Sequence, residues 1–162
     1  MGDLLIKAPI EYELLRKNRF ILRFPSDLGI QEWWVSSVTR PSYTSSKTEI
    51  PFINTKNYVI GQYAWEEITL VLKDPIGPSA SQAVMEWVRL HSESISGRQG
   101  YAVAYKRDLV LQMLDPNGVV VSQWILKEAM IVSAKFSELS YDGDDLATVD
   151  LTLQPFYCIL SY

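Results

Sequence analysis

The stretch Trp65-Glu66-Glu67-Ile68-Thr69-Leu70-Val71-Leu72-Lys73 decides the class of this chain. Ile68, Leu70 and Leu72 fall on one side of an extended backbone, and Glu67, Thr69 and Lys73 on the other. That period of two belongs to a strand with one buried face. Working outward, residues 19–24 repeat it, with Phe20, Leu22 and Phe24 against Arg19 and Arg23, and Pro25 with Ser26-Asp27-Leu28-Gly29 ends the run. Residues 30–38 follow at hairpin spacing and hold the adjacent pair Trp33-Trp34, whose rings point to opposite faces, so one of them cannot join the core.

On the C-terminal side, residues 79–94 form the one convincing helix, with Ala83, Val84, Trp87, Val88, His91 and Ile95 on one stripe. Ser79 or Ser81 can cap it and Gly97 can end it. Strands return at residues 106–114 and 119–126 around Asp115-Pro116-Asn117-Gly118, where Asn-Gly is a strong hairpin signal. Two more, at 129–139 and 147–159, flank the acidic turn Asp142-Gly143-Asp144-Asp145. Pro155 cannot donate to a ladder, so it belongs at an edge or a bulge. The sum is a mainly β chain: an antiparallel β-sandwich or barrel with one packed α-helix. Residues 1–162 are expected to make a single domain. Residues 1–18 read as an N-terminal arm, and residues 39–61, rich in Pro, Ser, Thr and Asn, as a long functional loop with an extended island at 49–53.

Composition excludes several classes. At 48% hydrophobic and 21% charged the chain should fold, and its longest apolar runs are far too short to cross a bilayer. A formal charge of −4 without a basic stripe argues against tight nucleic-acid binding. Chemistry has little to work with. His91, the sole histidine, lies on the apolar stripe of the helix, and Cys158, the sole cysteine, has no imidazole near it in sequence. Asp142, Asp144 and Asp145 lack the EF-hand register, Glu66-Glu67 are adjacent and point apart, and residues 97–100 are no phosphate loop. No catalytic residue, metal or cofactor is expected. What the chain does hold is surplus aromatic surface on faces a lone monomer would make polar, a mark of protein contact.

The order of these segments resembles the tail tube proteins of contractile-tailed, T-even-type bacteriophages. The resemblance rests on residues 19–24, on 35–41 leading into Glu49-Ile50-Pro51-Phe52, on 65–72 running into a helix with Trp87, on 136–142, and on 149–157. It implies a non-enzymatic subunit that closes into hexameric rings whose strands form one inner barrel. The rings stack into a hollow tube that conducts genomic DNA inside a contractile sheath. The implied partners are further copies of the chain, the sheath protein, and baseplate and tail terminator proteins, in a virion tail assembled in the host cytoplasm, with no membrane. Alternation then makes Glu67, Thr69, Asp150, Thr152 and Gln154 the lumen-facing candidates, since a polar acidic wall lets DNA slide. The candidates for contact between subunits are Trp33, Tyr43, Phe52, Tyr58 and Tyr63, with ring-to-ring contact assigned to residues 39–61 and the arm. Within the same class the chain can instead serve as an initiator or terminator ring, or as the tube of a phage-derived injection particle. A small-ligand-binding barrel is the alternative from another class.

Overall fold

In the computed structural model, residues 13–162 are described. Residues 1–12 of the expected arm lie outside them, and Glu13 to Asn18 run without helix or strand up to the first strand, apart from a turn. The strands are β1 (Phe20–Arg23), β2 (Val35–Val38), β3 (Tyr43–Phe52), β4 (Thr55–Trp65), β5 (Ile68–Lys73), β6 (Arg107–Leu114), β7 (Val120–Phe136), β8 (Thr148–Gln154) and β9 (Tyr157–Leu160). Helix α1 (Ala80–His91) and a single helical turn, α2 (Ala102–Tyr105), lie between β5 and β6.

One antiparallel sheet runs in the order β1-β6-β7-β8-β5-β2, with β9 also on β7. It folds over on itself because β7 serves both halves. Its first half pairs with β6 and β9, and its second half with β8. The β8–β9 segment follows β7 as one broken partner, Gln154 opposite Met130 and Tyr157 opposite Lys127. Between them, Pro155 takes the corner where a missing N–H costs nothing. The mainly antiparallel β architecture with one main helix is that read from the alternation.

Between the halves lies a filled core. Ile68, Leu70 and Leu72 of β5 meet Val149, Leu151 and Leu153 of β8 with no more than 1% of any of them exposed. Burying each such side chain stabilises the fold by about 1.5–3 kcal/mol. Trp34 and Trp87 fill the space above them. Helix α1 starts where expected, its Ser79 Oγ accepting from the Gln82 N–H and the Asp74 carboxylate accepting from the N–H groups of Ala80 and Ser81 at 3.1 and 3.3 Å.

Five details differ from the sequence reading. Residues 30–34 are not strand: Glu32–Trp34 form a 3₁₀ turn, which sends Trp34 into the core and leaves Trp33 63% exposed. The two strands expected at 119–126 and 129–139 are the single β7, carried through Glu128 at φ 53°. The helix stops at His91, so Ile95 lies off the stripe and is exposed. The chain breaks between β4 and β5, so Glu66-Glu67 sit at a bend and Trp65 ends β4. Lastly, the long loop at 39–61 is a β-hairpin, β3–β4, whose register runs from Tyr43 opposite Trp65 to Phe52 opposite Thr55. Nearly all of it is exposed, and without a buried face there was no alternation to read.

Candidate assembly surfaces

The hairpin is long and aimed. Strands of ten and eleven residues reach about 33 Å from the body at roughly 3.3 Å per residue. Its base is clamped: the Trp65 ring lies 5.5 Å from Tyr43 and 6.3 Å from Trp124, and Gln154 Nε2 donates to the Trp65 carbonyl at 2.9 Å. At the bend, the Glu66 carboxylate accepts from the hydroxyls of Thr44 and Ser42. Those bonds, Thr44 first, hold its carboxyl below the usual carboxylate range. Halfway along, a bulge between Ser45 and Lys47 sets Ser46 against Gly61, where a Cβ would come 2.6 Å from Ser46 Oγ.

Beyond the bulge the hairpin has two unlike faces. Lys47, Glu49, Lys56 and Tyr58 share one, with Lys56 paired to Glu49 at 2.9 Å and Lys47 Nζ 4.9 Å above the Tyr58 ring. The other sets Ile50, Phe52 and Val59 among Thr48, Thr55 and Asn57, while Pro51 and exposed Ile60 lie on the charged face. At the tip Ile53 is 87% exposed with φ 48°, a left-handed conformation that strains a β-branched residue.

A second surface is the outer face of the half-sheet β2-β5-β8-β7. Thr69 lies opposite Thr152, which lies opposite Ser133, and in the next row Val71, Asp150 and Lys135 stand side by side. Thr69, Asp150 and Thr152 are thus brought together, and exposed Glu67 borders them at the start of β5. Gln154 is half-buried and its amide is engaged at the hairpin base. Reading single strands missed Lys135 and Ser133, because cross-strand register appears only in the folded sheet. On the outer face of the other half, a polar ladder crosses three strands: Arg23 Nε donates to Gln112 at 2.8 Å and Gln112 Nε2 to Gln123 at 3.1 Å, with Arg23 also paired to Glu32 at 3.1 Å.

The third feature is a pair of open edges. Among the described residues β2 pairs only with β5, and the second half of β7 only with β8, since the pairing of β6 stops at Ala129. Four alternating strands give the two edges opposite directions. Of the contact candidates, Trp33 sits beside the β2 edge, while Tyr43, Tyr58, Tyr63 and Phe52 are spread along the hairpin, all of them exposed.

His91 stacks edge-on against Tyr105 at 4.8 Å, with Nδ1 2.7 Å from Ser92 Oγ. Burial pushes the Cys158 thiol up to about 11. Among the described residues no three His, Cys, Asp or Glu side chains gather as a metal site would need. A cleft of about 1200 Å³ lies between β1 and β2, lined by Phe20, Leu22, Trp33 and Val35 among others. Among the described residues no helix is long and apolar enough to cross a membrane.

No family model and no curated protein matches the sequence. Solved structures do. A chain of the anti-feeding prophage tube-terminating cap superposes with TM-score 0.73 at 18% identity over 99% of both chains. A chain of the sheath/tube terminator of an extracellular contractile injection system gives TM-score 0.72 at 19% identity, over 94% of this chain and 99% of that one. One from the sheath-tube complex of the same system gives 0.69 at 19% identity, over 94% and 93%. A chain from a gene transfer agent virion also aligns, with TM-score 0.54 at 10% identity over 92% of this chain. The edges, the projecting hairpin and the two-faced sheet therefore belong to a chain with the fold of tail tube and tube-terminator subunits.

Proposed function

We propose that this protein is a non-enzymatic structural subunit that closes into hexameric rings, which stack as the inner tube of a contractile tail and conduct DNA. The observation that carries the reading is the half-sheet β2-β5-β8-β7 with two open edges of opposite direction. Set side by side, the β2 edge of one copy and the β7 edge of the next run antiparallel, so the half-sheet continues around a closed ring and neither of these two edges remains exposed. The exposed face of that sheet, with Glu67, Thr69, Asp150, Thr152 and Gln154 on or beside it, then turns toward the lumen. Its lysines at 73 and 135 stand among hydroxyls and carboxylates, so no continuous cationic track is offered to phosphates.

The hairpin carries the stacking contact, together with the aromatic candidates along it. A strained, exposed isoleucine at its tip is hard to explain in a monomer and fits an apolar contact with the adjacent ring. Sheath, baseplate and terminator proteins would meet the remaining surfaces of a virion tail. Imaging the purified protein in negative stain tests the reading. Hollow rods support it, isolated rings reassign the chain to a tube end, and a protein that stays monomeric at every concentration refutes it.

A further inference from the structure

We infer that Trp33 of one copy seats in the groove between α1 and β7 of the next copy and is the anchor of the lateral contact; this rests on the ring reading above. The groove, about 350 Å³, is lined by Met85, Val88, His91, Tyr105, Ile131 and Phe136. It lies beside the part of β7 that, among the described residues, has no strand on its outer side, past the last β6 pairing at Ala129. Beside the opposite edge of the same half-sheet, two residues before β2 begins, Trp33 stands 63% exposed.

Register brings the two together. Val35 lies opposite Leu72, Leu72 opposite Val149, and Val149 opposite Phe136, so Val35 and Phe136 end one row that crosses all four strands. Val38, Leu70, Leu151 and Ala134 make the row beside it. When two copies join edge to edge with these rows aligned, Val35 of one comes level with Phe136 of the other. Trp33, two residues before Val35, then stands just past Phe136, at the end of the groove that Phe136 lines.

The chemistry of each side fits. The Trp33 ring is braced edge-on by the fully buried Trp34, with centroids 6.1 Å apart at 75°, so little side-chain freedom remains to be lost on docking. The groove offers aromatic edges from Tyr105 and Phe136 and a thioether from Met85, partners suited to an indole face. Tryptophan seated in a desolvated pocket is the residue type that dominates interface energetics. Backbone pairing alone sets no register between copies; an indole that fits one groove does.

The test uses the full chain with Cys158→Ser. Gln31→Cys combined with Glu138→Cys, which spares Trp33 and the groove lining, should give a ladder of covalent multimers when treated with a bismaleimide once rings have formed, and either single cysteine alone should not. Trp33→Ala should raise the concentration needed for assembly at least tenfold, Trp33→Phe should recover most of the loss, and both should melt with the parent because the residue is exposed. Rings that form normally with Trp33→Ala and yield no ladder overturn the anchor and leave the tube reading intact. A parent protein that never leaves the monomer shows instead that the ring reading has failed, and the anchor with it.

Discussion

The Asp108 carboxylate accepts the backbone N–H of Glu128 at 3.0 Å, at the one residue where β7 passes from one half of the sheet to the other. Lys127 Nζ adds a second bond to the same carboxylate at 3.2 Å. A strand that bends through a left-handed residue leaves backbone groups without ladder partners, and Asp108 satisfies one of them. Replacing it with Ala removes the acceptor and should cost about 1 kcal/mol. The melting temperature should fall by about 2–4 °C, read by circular dichroism.

The same contact sets a pH dependence. The Glu128 N–H, opposed by some desolvation and helped by Lys127, holds the Asp108 carboxyl below its ordinary value. A carboxyl depressed in the folded state contributes stability that is present above its unfolded value, about 3.9, and is lost as pH falls through the folded one. Between pH 5 and pH 2.5 the parent should therefore lose more melting temperature than Asp108→Ala does. Equal losses would show that the bond contributes nothing.

Stability and assembly should move in opposite directions at the hairpin tip. A β-branched residue held at φ 48° carries about 1–2 kcal/mol of strain, and glycine carries none. Ile53→Gly should leave the melting temperature unchanged or raise it, and at the same time shorten or abolish rods seen in negative stain.

Gly61→Ala puts a methyl group 2.6 Å from Ser46 Oγ, so the bulge must open. Because the clash is with a side-chain end and not with backbone, Ser46→Gly in the same chain should undo it. A double-mutant cycle on the concentration needed for assembly should show coupling of about 1 kcal/mol between the two positions. Additive effects would mean that the bulge does not set the aim of the hairpin.

Cys158 should resist alkylation in the folded protein. With its thiol raised to about 11 by burial, thiolate at pH 8 is on the order of a thousandth of the total. Iodoacetamide labelling followed by mass spectrometry should be slow in buffer and fast in denaturant. Fast labelling of the folded form would mean that β9 leaves β7 readily.

Where one face of a strand is buried, the fold was legible in the sequence. Ile68, Leu70 and Leu72, and Val149, Leu151 and Leu153, announce β5 and β8 by alternation, and Ser79 announces the start of α1. The hairpin was not legible as a hairpin, since strands exposed on both sides have no reason to alternate. Nor was the continuity of β7, because a bend through Glu128 depends on Asp108, twenty residues away. Trp33 and Trp34 were separable in principle but not assignable: the 3₁₀ turn decides which ring goes inward. For the site, alternation put Thr69 on one face of β5 and Asp150 and Thr152 on one face of β8, while the rows that set Thr69 beside Thr152 and Lys135 beside Asp150 needed the pairing itself.

The position of β8 gives the chain a built-in order of synthesis. It lies between β5 and β7, although it is made after both, and it is their sole link in the half-sheet. Without residues 148–154, no strand joins the pair β2 and β5 to the pair β6 and β7. The leucines of β5 still lack their main partners, and the pair of edges a neighbour would recognise does not yet exist. On the ring proposal, the two edges of the contact are held in one sheet only after residues 148–154 have been made, so a chain still lacking them is kept from joining its neighbours too early.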